Sequence, residues 1–187
     1  MLIKITLSGV SPLICNRFTE AAQQKVSAGT TVAIRGAQGM PREQAEPKLY
    51  LDANSKPCIP SPNLMRAIVD AGTFIKSGKS KLSTQRTSLV PAGISIVEPE
   101  LPITPSKWEV DSRSVVIPAT GGRVMAHRPR FDEWRLSLTL DVDTDMFDEG
   151  VARQLVDLAG QRIGLGDFRP ARRGPFGRFR VDSWKKI

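Results

Sequence analysis

Alternation of hydrophobic and polar residues predicts strands at both ends of the chain. In residues 2–10 every second position from 3 to 7 is Ile or Leu, and the positions between them are polar, which indicates a strand with one buried face. The segment WRLSLTLDV, residues 134–142, alternates strictly, and GRFRVDSW at 177–184 alternates again. Shorter strands are predicted near 93–99 and 113–117, and a hairpin turn at Gly121 and Gly122.

Two segments have helical spacing instead. Hydrophobic residues recur on one face from Leu64 onward, and Ser61 or Asn63 is the predicted cap of this first helix. A second helix is predicted over 148–163, capped by Asp148 or a neighbouring acid.

The predicted order is strand, helix, strands, helix, strand. This order favours the α+β class, as a ferredoxin-like (RRM-like) split βαβ antiparallel sheet with two helices on one face. We expect one domain over residues 1–187, with insertions at 19–48 and 76–118 and a C-terminal glycine-rich loop.

The two insertions have different compositions. Residues 19–48 mix polar, Gly and Pro residues with weak periodicity, so we expect a mobile segment with a short helix near 19–27. The stretch KSGKSKLSTQR, residues 76–86, holds four cations and no acid. We expect it to be a flexible basic loop.

Composition narrows the function classes. The 187 residues carry 27 Lys plus Arg against 19 Asp plus Glu, a net charge of +8 that favours a polyanionic partner. Two cysteines are too few for a disulfide framework and their spacing fits no metal site. Without a signal-peptide or membrane-spanning run, we expect a soluble, cytoplasmic protein that takes no metal or other cofactor.

The run IGLGDFRPARRGPFGRFRV, residues 163–181, contains four glycines and five arginines between the second helix and the last strand. Phosphate-binding glycine motifs run from a strand into a helix N-terminus, and here the order is reversed. A phosphate must therefore be held by side chains, and the segment from Arg162 onward has eight cations against two acids, a net +6. The structural alternative, a helix C-cap at Gly164 followed by a solvated loop, stays open at this point.

Three basic elements supply the candidate nucleic-acid contacts. Their glycines allow close backbone approach to a ligand, their arginines suit phosphate, and their phenylalanines can stack on bases. Their convergence on one sheet face is inferred from topology. The candidate residues are Lys76, Lys79 and Lys81 of the first element, Arg123, His127, Arg128 and Arg130 of the second, and Gly164, Gly166, Phe168, Arg169, Arg172, Arg173, Gly174, Phe176, Gly177 and Arg178 of the third.

Three motifs carry a family resemblance. The opening LSGVSPLI, the middle CIPSPNLMRAIVDA and the ending IGLGDFRPARRGPFGRFRV resemble the RAMP superfamily of CRISPR-associated proteins, in particular the backbone subunits that line up along guide RNA. The sequence is also similar to a group of short phage and prophage proteins with a G-x-x-P-L-L opening and a G-L-G-D-x-R-P ending. In the middle motif, Ser61-Pro62-Asn63 replaces the small Gly-Ser pair of the superfamily.

The resemblance implies roles for specific positions. The four glycines of the last motif would form the signature loop against an RNA-binding sheet face, and Arg123 to Arg130 would belong to the hairpin that holds the strand. Backbone subunits of this kind associate head to tail, so a homo-oligomeric filament and other CRISPR-like or phage subunits are implied partners.

Catalytic candidates are few. Asp52 lies in a predicted turn, and His127 is the one histidine of the sequence, with a contact or packing role favoured over that of a general base. The acidic run at 141–150 is not an EF-hand, because Met146 and Ala152 stand where Gly and Glu are required.

Three functional hypotheses follow. The first is a non-catalytic protein that coats single-stranded nucleic acid, with RNA favoured over DNA. The second is a metal-independent endoribonuclease that uses His127. The third is a phage protein that docks on a host CRISPR or replication complex.

Overall fold

The chain has antiparallel sheets and few helices, which agrees with the expected α+β class. A computed structural model describes residues 1–29, 39–117 and 120–187. Its strands are β1 (Leu2–Gly9), β2 (Leu13–Ile14), β3 (Cys58–Pro60), β4 (Lys76–Ser77), β5 (Ser80–Lys81), β6 (Ile94–Ile96), β7 (Glu100–Pro102), β8 (Glu109–Val116), β9 (Arg123–Phe131), β10 (Arg135–Val142) and β11 (Phe179–Lys186). Its α-helices are α1 (Glu20–Ser27), α2 (Pro41–Ala45), α3 (Ser61–Ala71), α4 (Val90–Gly93) and α5 (Glu149–Leu158).

The largest sheet has four strands in the order β11-β1-β10-β6, and every neighbouring pair is antiparallel. The predicted alternation of the first strand is confirmed, because Ile3, Ile5 and Leu7 are fully buried. The alternate residues of β10, from Leu136 to Val142, are buried as well. The two central strands therefore present one hydrophobic face to the core.

Helices α3 and α5 pack against each other and contribute to the same core as the sheet. The predicted cap of α5 is confirmed, since Asp148 Oδ1 accepts a hydrogen bond of 2.8 Å from the Val151 amide. The predicted cap of α3 is wrong. Pro60 is the N-cap residue, Ser61 is already helical, and the Ser61 amide donates to the Pro99 carbonyl at 2.9 Å. A backbone contact thus takes the place of a side-chain cap.

A second sheet, in the order β2-β9-β8, holds the predicted hairpin. Its two long strands pair from Glu109 opposite Arg130 to Val116 opposite Arg123. Gly121 has a φ of 71° in the turn, as a tight hairpin connection requires. The Cys15 amide donates to the Pro129 carbonyl at 2.9 Å and joins the hairpin to the start of the chain.

The insertions are more structured than expected. The predicted helix near 19–27 is confirmed as α1, capped by Thr19, but α2 was not expected, and residues 30–38 of this insertion lie outside the described ranges. The stretch predicted as a flexible basic loop instead contains a hairpin of β4 and β5 that turns at Gly78. It is anchored because Leu82 is buried and its amide donates to the Ile75 carbonyl at 3.0 Å. Within the ranges that the structure describes, the helices are too short or too polar to cross a membrane.

Candidate nucleic-acid interface

The glycine-rich loop, residues 164–178, follows helix α5. A π-helical turn over Ala159–Ile163 extends α5, and the Gly164 amide closes it with a 2.8 Å hydrogen bond to the Ala159 carbonyl. Gly164 has a φ of 75° and a ψ of 172°, a conformation that glycine adopts without a steric cost. The loop then packs on the start of the chain, since the Asp167 amide donates to Ile14 and the Gly177 amide to Pro12, both at 2.8 Å.

The glycines of this loop make room for the loop itself. A Cβ atom on Gly174 would overlap the carbonyl of Phe168, and a Cβ atom on Gly177 would overlap the carbonyl of Leu165. A Cβ atom on Gly166 would meet the Ile14 carbonyl in the same way. The sequence analysis predicted that these glycines allow close approach of a ligand to the backbone. In the structure they instead allow close approach between backbone segments of the protein itself.

A buried ionic network joins the β8–β9 hairpin to the loop. The Arg128 guanidinium lies 2.6 Å from Asp167 of the loop and 3.9 Å from Asp111 of β8. Arg113 binds the same Asp111 carboxylate at 2.8 Å, and the Asp111 side chain is only 3% exposed. Arg128 is therefore buried and neutralised within the protein, although its sequence position suggested a free cation. Sequence reasoning missed Asp111, and the available signal was a lone acid on the inward face of a strand.

Arg130 is also engaged by acids. Its guanidinium lies 2.8 Å from Asp132 and 3.8 Å from Glu109 and Asp111. Because these acids partly neutralise Arg130, strand β9 attracts a phosphate less strongly than its number of arginines suggests.

His127 is 7% exposed, and its Nδ1 atom and its backbone carbonyl each have a partner. Its Nδ1 atom lies 2.7 Å from the Ser112 hydroxyl, and its carbonyl accepts a 2.6 Å hydrogen bond from Lys48 Nζ. Burial, and then the positive charge of Arg128, lower the pKa of Lys48. This setting favours a packing role for His127 over that of a general base.

Two phenylalanines of the loop have different surroundings. Phe168 is 40% exposed and adopts a φ of 51°, whereas Phe176 is buried. Their ring centroids are 6.1 Å apart, and the Arg113 guanidinium covers Phe176 at 4.5 Å from its ring centroid. Phe176 thus supports Phe168 from beneath, and the Phe168 ring alone of the two is available to a ligand.

Three exposed arginines follow Phe168 along the loop. Arg172, Arg173 and Arg178 form no ion pair with any residue in the described ranges. Arg173 occupies the left-handed region with a φ of 62°, at the end of the 3-10 turn Pro170–Arg172. These guanidinium groups are free to bind phosphate.

The remaining candidate cations are placed as follows. Arg169 is half-buried and donates to the Gly166 carbonyl at 2.9 Å, so it braces the loop. Arg123 is exposed near the hairpin turn and donates to the Ser114 hydroxyl at 2.8 Å.

Lys76, Lys79 and Lys81 lie exposed on the β4–β5 hairpin. The ring of Phe74, just before this hairpin, is covered by the Arg162 guanidinium at 4.7 Å from its centroid, next to the start of the glycine-rich loop. The β8–β9 hairpin contacts the loop through Arg128 and Asp167, while convergence of the three basic elements on one sheet face stays a prediction. In the described part of the chain, His, Cys, Asp and Glu side chains form no group of three that could hold a metal ion.

Comparison with known proteins gives a likeness in fold. The sequence matches no protein-family description and no curated protein. The fold is similar to that of a chain in the type III-B Cmr-beta complex bound to cognate target RNA, with a TM-score of 0.52 and 9% sequence identity. The match covers 98% of this chain and 59% of that chain. At 9% identity the likeness shows a shared fold alone.

Proposed function

We propose that this chain is a non-catalytic protein that binds single-stranded nucleic acid, RNA in preference to DNA, with the glycine-rich loop as the centre of its interface. The observation that carries the proposal is the group of free arginines, Arg172, Arg173 and Arg178, on the same loop as the exposed Phe168 ring. Cations that follow the backbone together with an aromatic ring that stacks on bases are the combination used for unpaired strands.

The topology supports the same proposal. Helix α3 lies between β1 and β6 in the chain and α5 between β10 and β11, and the sheet order is β11-β1-β10-β6. This order supports the split βαβ, ferredoxin-like plan that we propose for the chain, a plan that RRM-type domains use. The Cmr-beta complex, whose chain shares the fold, is bound to target RNA.

The structure also refines the proposed contact set. Arg128 and Phe176 are buried, and Arg130 is paired with acids, so we assign them to support of the interface. The direct contacts proposed are Phe168, Arg172, Arg173 and Arg178, with Arg123 and the lysines of the β4–β5 hairpin extending the path. Several copies would line up along one strand, as the resemblance to backbone subunits implies.

Charge reversal in the loop tests the proposal. Changing Arg172 and Arg173 to Glu should weaken binding of a labelled 20-nucleotide single-stranded RNA by roughly tenfold or more at 0.1 M salt, because phosphate contacts dominate affinity. For the wild type, log affinity should fall with log salt with a slope of about −2 to −4, at about −0.7 for each phosphate neutralised. Fluorescence anisotropy measures both quantities.

The matched control carries the same change of charge at the far end of the sheet. Lys185 and Lys186 lie opposite Lys4 and Ile3, whereas the loop joins β11 beside Gly9. Lys185 lies about 20 Å along β11 from the start of that strand at Phe179, at 3.3 Å per residue. Changing both lysines to Glu should leave most of the RNA affinity intact. Equal loss in the two variants, or no binding by the wild type, would refute the proposed interface.

A further inference from the structure

A cavity of about 240 Å³ opens where β2, the first turn of α3 and the glycine-rich loop meet. Its floor is apolar and buried, formed by the side chains of Cys15, Ile59, Ala67 and Leu165. Ligand pockets for drug-sized molecules measure roughly 300 to 1,000 Å³, so this cavity suits a single ring system.

The rim of the cavity carries hydrogen-bonding residues with no partner among the described residues. Tyr50 and Asn63 line the cavity, and neither the Tyr50 hydroxyl nor the Asn63 side-chain amide forms a hydrogen bond with a described residue. By contrast, the other polar groups of the wall are engaged. Asn16 donates to Asp167 at 3.1 Å, and Arg169 donates to Gly166 at 2.9 Å.

The charge of the wall argues against a phosphate inside the cavity. Asp167 contributes a carboxylate there, already satisfied by Arg128 at 2.6 Å and by Asn16. Arg66, also in the wall, is paired with Asp70 at 2.9 Å. Arg169, also in the wall, forms no ion pair with a described residue, but its guanidinium donates to the Gly166 carbonyl at 2.9 Å. The exposed cations lie further along the loop at Arg172 and Arg173, where we place a phosphate group.

A neutral, flat ring with polar edges matches this lining. The apolar floor complements a ring face, an aromatic side chain can stack on it, and an Asn amide offers one donor and one acceptor to a base edge. We propose that the cavity binds one unpaired nucleobase. The base comes either from the bound strand, in which case the inference rests on the proposed function, or from a free nucleoside monophosphate.

Abasic substitution tests this directly. A single abasic residue is moved along a 12-nucleotide single-stranded RNA, and affinities are measured for the wild type, for Tyr50→Phe combined with Asn63→Ala, and for Asn54→Ala as the control. Asn54 is exposed in a distant turn and its side chain lines no part of the cavity. For the wild type and the control, one abasic position should weaken binding by at least about fivefold. For the double variant the effect of that position should be clearly smaller, because the polar contacts to the base edge are lost while the apolar floor remains.

A second arm identifies the source of the base. Adenosine, guanosine, cytidine and uridine monophosphates are added singly at millimolar concentration, and the thermal midpoint is recorded. Stabilisation of the wild type that is absent in the double variant supports the cavity with a free nucleotide, whatever the strand does. A wild type that binds RNA without any abasic-sensitive position and is not stabilised by a monophosphate overturns the cavity but leaves the proposed function standing. Failure to bind RNA at all overturns the proposed function instead.

Discussion

Phe168 holds an aromatic ring in solvent at a backbone angle that phenylalanine rarely adopts. Its φ of 51° is in the left-handed region, where a bulky residue is strained. The strain is sustained by the surroundings, because the Phe168 amide donates to its neighbour Asp167 and the Phe168 carbonyl accepts from the Phe176 amide at 3.2 Å. Strain of this kind concentrates at functional sites.

Removal of the Phe168 ring should have a larger effect on RNA affinity than on stability. We expect Phe168→Ala to weaken single-stranded RNA binding by about 1–3 kcal/mol, the value of one base stacked on an aromatic ring. The melting temperature should fall less than for a fully buried phenylalanine, because Phe168 is 40% exposed. The control is Phe18→Ala, which removes an exposed phenylalanine outside the loop. Equal affinities for the wild type and Phe168→Ala in fluorescence titration would contradict the stacking role.

At the same scale, the sequence shows which residues are basic, but it does not predict which of their side chains lack an ion pair. Arg128 and Arg172 look equivalent as basic residues near glycines or a hairpin. The structure separates them, since Arg128 meets Asp167, 39 residues away, and Arg172 meets no acid in the described ranges. Ion pairing over such a distance depends on the tertiary fold, which local patterns do not contain.

Among the elements, the short turn Pro170–Arg172 sets the direction of the free arginines. It ends at Arg173, whose left-handed conformation costs a non-glycine residue about 1–2 kcal/mol. We therefore expect Arg173→Gly to raise the free energy of unfolding by about 1 kcal/mol while it weakens RNA binding.

Arg172→Gly is the matched variant, because Arg172 lies within the 3-10 turn and needs no left-handed conformation. It should weaken binding similarly but lower the free energy of unfolding. Urea denaturation distinguishes the two. If both variants lost stability equally, strain at Arg173 would be disproved.

The β8–β9 hairpin and the glycine-rich loop are coupled by the carboxylate of Asp111. Asp111→Ala should lower the free energy of unfolding by about 3 kcal/mol, because the buried Arg128 would lose one of its two acidic partners and Arg113 its only ion pair in the described ranges. Urea denaturation at neutral pH measures the loss. Asp132→Ala removes an exposed partner of Arg130 and should cost less than about 1 kcal/mol. Equal costs for the two would show that the buried network does not stabilise the chain.

Element patterns predicted the central sheet better than the connections. Strict alternation identified β1 and β10 because one face of each is buried in a common core. The β4–β5 hairpin was not recognised, because its two-residue strands are polar and their order depends on the burial of Leu82 beside them. The cavity beside Tyr50 was also beyond prediction, since it is formed by segments far apart in sequence.

For the molecule as a whole, the free arginines lie at one end of the long β1 strand. The loop joins β11 beside Gly9, at one end of β1. The acidic run at 141–150 begins at Asp141, which pairs with Leu2 at the other end of β1. If copies line up along a strand of RNA, their number on one RNA should rise with its length. We expect mass photometry of single-stranded RNAs of 15, 30 and 60 nucleotides to show a stepwise increase in bound copies. A constant stoichiometry of one would contradict the coating mode.

The tight fit of Gly174 and Gly177 against the carbonyls of Phe168 and Leu165 bears on how this protein can diverge over generations. Those two glycines are constrained by folding, whereas under the proposed function Arg172 and Arg173 are constrained by the ligand. A descendant lineage that had lost its nucleic-acid partner would therefore keep the glycines and let the arginines drift. The glycines would then indicate common ancestry, and the arginines would indicate whether the protein still binds nucleic acid.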